Sequence, residues 1–195
     1  MLFAVLFGAI CLLPLMMIVK IFALLTGDTK SIFYAQKRIG LNGKEFSIYK
    51  FRSMVPNAEE ELERILNEGG ELAEEYKRDK KMKNDPRITK IGKFLRKTSL
   101  DETPQLINVL KGEMSLIGNR PYLPGEKEDM GEYYDNIVRT KPGITGYWQV
   151  SGRSDTTFKK RLELEQYYSN NASLKMDVKI FFKTFKAVGL CKGAK

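Results

Sequence analysis

The first 25 residues constrain the fold most, because they form an apolar run, MLFAVLFGAICLLPLMMIVKIFALL, in which Lys20 is the only charged side chain. As a straight helix, this run would measure about 37 Å at about 1.5 Å per residue, which exceeds the roughly 30 Å of a bilayer's hydrocarbon core. A cleaved signal peptide does not fit, since no basic region precedes the run and no small-residue cleavage site follows it. We therefore predict a membrane-embedded helix over residues 1–27.

Pro14 lies in the middle of this run, and a proline removes a helical N–H group and clashes with the preceding turn. Two interpretations stay open: a kinked helix that spans the membrane once, and two short helices that enter and leave by the same face. Lys20 is one argument for the second, because at mid-membrane it would cost about 2.5–3.5 kcal/mol unless its head reached the interface, but it does not decide between them. The many lysines and arginines after Gly27 place the rest of the chain in the cytoplasm.

The composition narrows the chemistry. The chain has 33 Lys and Arg residues against 24 Asp and Glu residues, a net charge of +9, so we expect an anionic partner: nucleic acid, a lipid surface or phosphorylated small molecules. It has no histidine, which excludes the usual general base and the usual zinc ligand. Cys11 and Cys191 lie at opposite ends and match neither a disulfide framework nor a metal-binding spacing.

The remaining sequence predicts an α/β fold that is mostly helical. β-branched and aromatic residues around Asn42-Gly43 are typical of a β-hairpin. The other predicted segments are a charged helical hairpin inserted over 56–85 and broken at Gly69-Gly70, a basic helix over 85–100, a helix over Asp101–Leu110, loops around Arg120, Arg139, Lys141 and Arg153, a helix over Thr157–Tyr168, and a final helix over 173–190.

Two of these helices leave alternatives open. The charged hairpin fits either of two roles: a solvated surface element, or an element that binds a partner or forms a dimer. In the last helix, apolar residues recur at three- and four-residue spacing and lysines occupy the other faces. That pattern fits an amphipathic interfacial helix on anionic lipid, or a helix packed on the core with a basic outer face. The apolar residues are Leu174, Val178, Phe181, Phe182, Phe185 and Val188, and the lysines are Lys175, Lys179, Lys183 and Lys186.

The adjacent acids Asp101 and Glu102 are the strongest candidates for chemistry. One interpretation is structural, because Ser99-x-x-Glu102 matches a capping box and Pro104 is tolerated in a first helical turn. The other is functional, because a helix N-terminus keeps a carboxylate ionised and presents N–H groups to a phosphate. A carboxylate that attacks a phosphoryl group needs Arg, Lys or Mg²⁺ to offset the repulsion between their charges.

Three ordered motifs carry a family resemblance: KFRSM, DPRITKIGKFLRKTSLDETPQLINVLKGEMSLIGNRP and KPGITGYWQVSGR. The chain resembles the bacterial sugar transferases called monotopic phosphoglycosyl transferases, from about Leu2 to the last helix. Members of that family move a sugar-1-phosphate from a nucleoside diphosphate sugar, usually UDP-linked, to polyprenyl (undecaprenyl) phosphate, and UMP leaves. They use an Asp-Glu dyad, Mg²⁺ and a covalent phosphosugar-aspartate. Their N-terminal helix is broken at a proline and re-enters the cytoplasmic face.

The resemblance implies a glycosyl-1-phosphate transferase at the cytoplasmic face of the bacterial inner membrane that initiates a surface glycan: capsule, exopolysaccharide, O-antigen or glycoprotein glycan. It implies a re-entrant helix over 1–27 broken at Pro14, and a cytoplasmic catalytic domain over 28–195. The expected partners are a UDP-sugar, polyprenyl phosphate and membrane lipid, with no nucleic acid, and a homodimer stays open. Two competing functions also stay open: a basic membrane-anchored module that binds lipid or nucleic acid without chemistry, and a single-span scaffold.

Carried over by motif, Asp101 and Glu102 are the expected catalytic residues and Mg²⁺ ligands. The substrate-binding candidates from the motifs and from the basic residues beside the dyad are Lys50, Arg52, Arg96, Arg120, Pro121, Gln149 and Arg153. Three departures stand out: Leu13 where the family often has Ser, Asn119 in place of the first proline of a Pro-Arg-Pro loop, and no basic lead-in before the apolar run. The last departure fits a chain that begins late or is the catalytic part of a longer protein. These motifs specify neither the sugar nor the glycan pathway.

Overall fold

The computed structural model describes residues 2–25, 29–152 and 156–189, and within these ranges the side chains from Leu12 to Lys186. The fold is mostly helical and contains two small two-stranded sheets, which confirms the predicted mostly helical class. The helices are α1 Leu2–Leu25, α2 Ala58–Glu68, α3 Glu71–Asp79, α4 Lys90–Thr98, α5 Gln105–Leu110, α6 Lys127–Met130, α7 Tyr134–Ile137, α8 Tyr147–Ser151, α9 Phe158–Asn171 and α10 Leu174–Gly189. The strands are β1 Phe33–Ile39, β2 Glu45–Phe51, β3 Ser115–Ile117 and β4 Gly143–Thr145.

Helix α1 continues through Pro14, so the predicted break into two separate helices is not found. A proline removes one N–H donor and crowds one carbonyl, but the groups on either side still bond, and a helix can bend there without ending. The re-entrant path through one membrane leaflet stays a prediction. Among the described residues, no helix is both long and apolar enough to cross a membrane.

One side of α1 belongs to the core. Leu12 and Val19 are buried against Phe51 of β2 and Leu95 of α4. The other side carries exposed apolar side chains: Leu13, Met17, Ile18, Ile21, Phe22, Leu24 and Leu25. The apolar run is therefore only partly covered by the protein.

The β-hairpin is confirmed. Strands β1 and β2 pair antiparallel from Phe33 opposite Phe51 to Ile39 opposite Glu45. Asn42 and Gly43 both take positive φ, 55° and 77°, the conformation that Asn and Gly adopt most readily in tight turns. The pairing brings Lys50 to the same end of the sheet as Tyr34, with which it is in register.

The predicted continuous helix over Asp101–Leu110 is wrong. The chain makes a 3₁₀ turn at Leu100–Glu102, and α5 begins only at Gln105. The reason is Pro104, which has no N–H to give to the carbonyl of Leu100; that oxygen instead accepts from Thr103 through its N–H at 3.2 Å and its hydroxyl at 2.7 Å. The capping box does not form either, because Ser99 is left-handed at φ 57° and makes no side-chain cap.

The parallel pair β3–β4 is the main element that the sequence reasoning missed. Ser115 pairs with Gly143, and Ile117 with Thr145, in two segments expected to be loops. The backbones approach so closely that a Cβ on Gly118 would lie 2.3 Å from the Lys141 carbonyl oxygen. Glycine permits this contact. As a result, the loop that carries Arg120 lies beside the Pro-Gly-Ile-Thr-Gly segment, residues 142–146.

The basic helix predicted over 85–100 is shorter in the structure: Thr89 caps α4, which spans Lys90–Thr98, while Ile88 pairs with Met54 outside the helix. The other predicted helices are confirmed. Helices α2 and α3 flank Gly69-Gly70 and share a small core of Ile65, Ala73 and Met82. Thr157 caps α9 by accepting from the Lys160 N–H. In α10, Ile180 is buried and the helix lies against α8, β3 and β4. The apolar residues of α10 that stay exposed are Leu174, Val178, Phe181, Phe182 and Phe185.

Candidate active site

Asp101 and Glu102 lie together in the 3₁₀ turn that joins α4 to α5. The Asp101 side chain is buried, with 7% of the residue exposed. Burial raises the pKa of Asp101 to about 6, and the charge of Glu102 adds to the increase, while Lys50 and Arg96 oppose it. Among the described residues, no lysine or arginine nitrogen lies within 4.0 Å of the Asp101 carboxylate.

Glu102 has a different environment from its neighbour. Lys50 donates a hydrogen bond to it across 2.7 Å, and about a third of its side chain, 34%, is exposed. Burial alone would raise the pKa of Glu102. The charge and hydrogen bond of Lys50, with the charges of Arg120 and Arg38, outweigh burial and lower it. The dyad therefore contains one compensated carboxylate and one buried carboxylate without a direct cationic partner in the described part of the chain.

The turn is held against β2 by Asn108, which is fully buried in α5. Its side-chain oxygen accepts from the N–H of Tyr49 at 3.1 Å, and its amide group donates to the carbonyl of Ser47 at 2.7 Å. These bonds place α5 beside the strand that carries Lys50. They explain how residues far apart in the sequence form the Lys50–Glu102 contact.

Arg96 approaches the dyad from α4. Its Nε donates to the hydroxyl of Ser53 across 2.9 Å. Burial lowers the pKa of Arg96, and the Asp101 charge opposes that change more strongly than any other neighbour. The close approach depends on Gly92, where a Cβ would lie 1.9 Å from the Ser53 carbonyl oxygen. Glycine at this position therefore lets α4 lie directly on the chain that follows β2.

Arg120 and Pro121 follow β3 and occupy the loop beside β4. The Arg120 N–H donates to both carboxylate oxygens of Glu165, at 3.0 and 2.8 Å, whereas its Nε is buried with no hydrogen-bond partner. The Pro121 carbonyl accepts from Arg38 across 3.1 Å. The Arg120 charge is one of those that lower the pKa of Glu102.

For the other three predicted binding residues, Arg52, Gln149 and Arg153, the structure gives no hydrogen bond or ion pair with the dyad among the described residues. Arg52 donates to the carbonyl oxygens of Ser31 at 2.7 Å and Met54 at 3.5 Å, which ties it to the backbone around the sheet. Gln149 lies in α8, and its side-chain oxygen is buried without a partner. Arg153 lies outside the described residues. The roles of these three residues in binding stay predictions.

Sequence reasoning missed Arg38 and Glu165. Arg38 is 7% exposed on β1, and Glu165 is 1% exposed on α9. Burial raises the pKa of Glu165 to about 8, although both the Arg120 N–H and the nearby guanidinium charges favour its ionised form. A weak signal exists for Glu165, because Arg161, Glu165 and Ser169 recur one helical turn apart and so share one face of the helix.

The carboxylates of the dyad are the candidate ligands for Mg²⁺. In the described part of the chain, no cluster of three His, Cys, Asp or Glu residues could hold a metal ion by itself. Mg²⁺ is commonly bound through one or two carboxylates together with substrate phosphates. The oxygen donors of Asp101 and Glu102 fit that pattern, provided that substrate supplies the other ligands.

Comparison with known proteins gives a consistent result. A family model described as bacterial sugar transferase matches residues 1–190 of the chain. The undecaprenyl-phosphate galactose phosphotransferase of Salmonella typhimurium is 48% identical over 163 residues, which cover 84% of this chain and 34% of that protein. The exopolysaccharide production protein ExoY of Sinorhizobium fredii is 40% identical over 190 residues, covering 95% of this chain and 84% of that protein.

A third relative is more distant. The UDP-glucose:undecaprenyl-phosphate glucose-1-phosphate transferase of Escherichia coli K12 is 37% identical over 161 residues, which cover 78% of this chain and 32% of that protein. The chain thus spans about a third of the length of the Salmonella and Escherichia relatives. The residues matched by the family model, 1–190, include the dyad, the basic residues around it and the loops that carry Arg120 and Pro142–Gly146.

Proposed function

The chain belongs to the bacterial sugar transferase family, and on that basis we propose that it transfers a sugar-1-phosphate from a UDP-sugar to polyprenyl phosphate. The products are UMP and a polyprenyl-diphosphate sugar. The observation that carries the proposal is the unequal dyad: a buried Asp101 without a direct cationic partner in the described chain, beside a Glu102 held by Lys50. The names of the relatives support both substrates, because two of them name undecaprenyl phosphate and one of these two also names UDP-glucose.

In the proposed mechanism, Asp101 is the nucleophile. Its carboxylate oxygen attacks the phosphorus that carries the sugar, the bond from that phosphorus to the bridging oxygen breaks, and UMP leaves with the bond's electrons. An oxygen of polyprenyl phosphate then attacks the same phosphorus and frees the Asp101 carboxylate. A carboxylate that no lysine or arginine of the described chain holds in an ion pair suits the first step, because no side chain has to be displaced from it before it attacks.

The surrounding residues handle the charge. Lys50 compensates Glu102, and Arg96 and Arg120 are the proposed clamp for the diphosphate, because a guanidinium can contact phosphate oxygens in pairs. Arg153 is retained as a third member of this clamp from the motif. Mg²⁺, when held by Asp101 and Glu102 with phosphate oxygens, would supply further compensation of the developing negative charge.

We further propose that the protein works at the cytoplasmic face of the bacterial inner membrane. The exposed apolar side chains of α1 and α10 support this location, because contiguous apolar surface of this kind is unfavourable in water. The re-entrant helix over 1–27 and the catalytic domain over 28–195 are the corresponding division of the chain. Initiation of an exopolysaccharide or capsule is the proposed biological step, in line with the name of the Sinorhizobium relative.

The proposal is tested by incubating the purified protein with a panel of UDP-sugars, with and without polyprenyl phosphate. Transfer through Asp101 predicts a burst of UMP from one sugar nucleotide even without acceptor, and a phosphosugar adduct on the Asp101 peptide by mass spectrometry. An adduct on another residue would refute the assigned nucleophile. Binding of anionic vesicles with no UMP release from any UDP-sugar would favour the non-catalytic lipid-binding alternative.

A further inference from the structure

The loop that carries Arg120 is bound along one face of α9. Ser169 accepts from the side-chain amide of Asn119 across 2.6 Å. One turn earlier, both oxygens of Glu165 accept the N–H of Arg120 at 3.0 and 2.8 Å. Helix α9 therefore contacts two consecutive residues of the loop with two side chains from the same face.

The other side of the same loop is bound to β1. The Arg38 guanidinium donates to the carbonyl of Pro121 across 3.1 Å, and the N–H of Ile39 donates to the carbonyl of Tyr122 across 2.8 Å. Backbone groups of Arg120, Pro121 and Tyr122 are thus all engaged by residues outside the loop. Such a loop has little freedom to rearrange, because each displacement would break a buried hydrogen bond.

The Arg120 side chain is left out of this arrangement. Its Nε has no hydrogen-bond partner, and in the described part of the chain no carboxylate oxygen lies within 4.0 Å of its guanidinium nitrogens. Within the described part of the chain, Glu165 hydrogen-bonds the backbone N–H of Arg120 and forms no ion pair with its guanidinium. The structure therefore fixes the main chain of this arginine and leaves its cationic head available.

A carboxylate is an expensive group for this purpose. Glu165 is 1% exposed, and a buried carboxyl group, which must either keep its proton or carry a buried charge, costs more than a buried amide or carbonyl that could accept the same N–H group. The charges of Arg120 and Arg161 both favour the ionised form of Glu165, although burial outweighs them and raises its pKa to about 8. Arg161 itself is buried, with its guanidinium 4.7 Å from the centre of the Trp148 ring.

We propose that Glu165 is a positioning residue that fixes the backbone of Arg120, so that the Arg120 guanidinium is held ready for the diphosphate of the UDP-sugar. The inference rests on the proposed function, because it assigns Arg120 to the diphosphate. Glu165 itself touches no reacting atom. It acts through Arg120, and its removal should therefore weaken binding of the diphosphate more than it slows the chemical step.

The test measures UDP binding by isothermal titration calorimetry and UMP release by steady-state kinetics, with the full chain in detergent. Glu165→Ala should weaken UDP binding about tenfold and raise KM more than it lowers kcat, because the Arg120 N–H loses its buried acceptor. Glu165→Gln should restore most of the affinity, since an amide oxygen still accepts that N–H. Glu163→Gln is the control, because 40% of the Glu163 side chain is exposed and, among the described residues, its ion-pair partner is Lys160, at 2.8 Å.

An Arg120→Ala background separates positioning from a general effect on the fold. In that background, Glu165→Ala should cause little further loss of UDP affinity, because Glu165 has no head group left to position. An equal loss in both backgrounds would overturn the proposal, as would unchanged UDP affinity in Glu165→Ala. If Glu165→Ala does not fold, the Gln variant decides the question. A folded Glu165→Gln protein that loses its affinity for UDP would overturn the proposal.

The same measurements test the transferase function and the positioning role of Glu165 separately. A wild-type protein that binds UDP in a Glu165-dependent way but releases no UMP would refute the transferase function and support the positioning role. Normal UMP release that is insensitive to Glu165 would refute the positioning role alone. A wild-type protein that does not bind UDP would refute both.

Discussion

Lys50 on β2 and Glu102 in the 3₁₀ turn form an ion pair across 2.7 Å, whereas the adjacent Asp101 is buried without such a pair among the described residues. Two neighbouring carboxylates that share one cation unequally are suited to different tasks. Lys50 lowers the pKa of Glu102, while burial raises that of Asp101 to about 6, so Asp101 is mostly ionised at neutral pH but poorly compensated. An ionised, poorly compensated carboxylate is suited to attack phosphorus.

Asp101→Asn should abolish UMP release and at the same time make the fold more stable. One pKa unit corresponds to about 1.4 kcal/mol, so the ionised Asp101 costs the native state roughly 3 kcal/mol at neutral pH. Asn removes that cost and keeps the side-chain shape. Thermal unfolding at pH 7 without divalent cations, together with UMP release, measures both effects. A purely structural acid would instead leave activity intact, and an active Asp101→Asn enzyme would contradict the assignment.

Glu165→Gln should gain stability over the wild type as the pH rises. Burial raises the pKa of Glu165 from 4.5 to about 8, so the folded chain keeps a proton that the unfolded chain loses above about pH 4.5. Stability supplied by this proton is complete below the unfolded pKa and disappears as the pH rises through about 8. The difference in melting temperature between the two proteins, measured from about pH 5 to pH 9, reports this effect. A difference that is constant across this range would contradict it.

Lys50→Met should lower kcat/KM roughly 10- to 100-fold, because the dyad then holds two poorly compensated negative charges beside an anionic substrate. Lys37→Met is the matched control in the same hairpin. Lys37 faces Glu45 at 3.6 Å with 76% of its side chain exposed, so its loss should leave kcat/KM unchanged. Equal kinetics for Lys50→Met and the wild type would show that the Lys50–Glu102 pair has only a structural role.

The local signals in the sequence were sufficient for the hairpin and for most helices. Asn42-Gly43, Gly69-Gly70 and Thr157 each act on their immediate neighbours, and each was placed correctly. The helix over Asp101–Leu110 failed because one missing N–H at Pro104 outweighed a favourable helical pattern. A proline tolerated in the first turn of a helix here marks the start of a new one, because α5 begins directly after Pro104.

The long-range contacts could not be predicted in the same way. Strands β3 and β4 pair through glycines that read as loop residues, and only the folded chain shows that Gly118 and Gly143 lie in contact. Glu165 looks like any charged residue on a helix until α9 is placed on the Arg120 loop. The family motifs named the dyad, whereas the residues that hold Arg120 in place came only from the structure.

Gly92→Ala should destabilise the fold and reduce activity together. The added Cβ would lie 1.9 Å from the Ser53 carbonyl oxygen, so α4 must move away from the chain that positions Arg96. Overpacking of this kind typically costs about 1–3 kcal/mol. Gly125→Ala is the control, because no atom lies within 4 Å of a Cβ at Gly125 and its φ is not positive. Denaturant unfolding compares the two, and equal stability of both variants would show that α4 adapts without cost.

Replacing the four lysines of α10 with glutamine should weaken binding to anionic vesicles. Each basic residue near an anionic membrane contributes about 1 kcal/mol, and α10 combines its lysines with the exposed Phe182 and Phe185. The lysines are Lys175, Lys179, Lys183 and Lys186. The effect should appear as a large loss of vesicle co-sedimentation at low salt and a smaller difference at high salt, because salt screens exposed charges.

A control with the same change in net charge shows whether this surface or the total charge matters. It replaces four exposed lysines elsewhere, Lys37, Lys77, Lys111 and Lys160, whose side chains are 76%, 59%, 47% and 58% exposed. If α10 lies on the lipid, the control should bind vesicles almost as well as the wild type, because its lysines are distributed over other elements. Equal losses in both variants would mean that α10 has no special contact with the membrane and that net charge alone attracts the protein to anionic lipid.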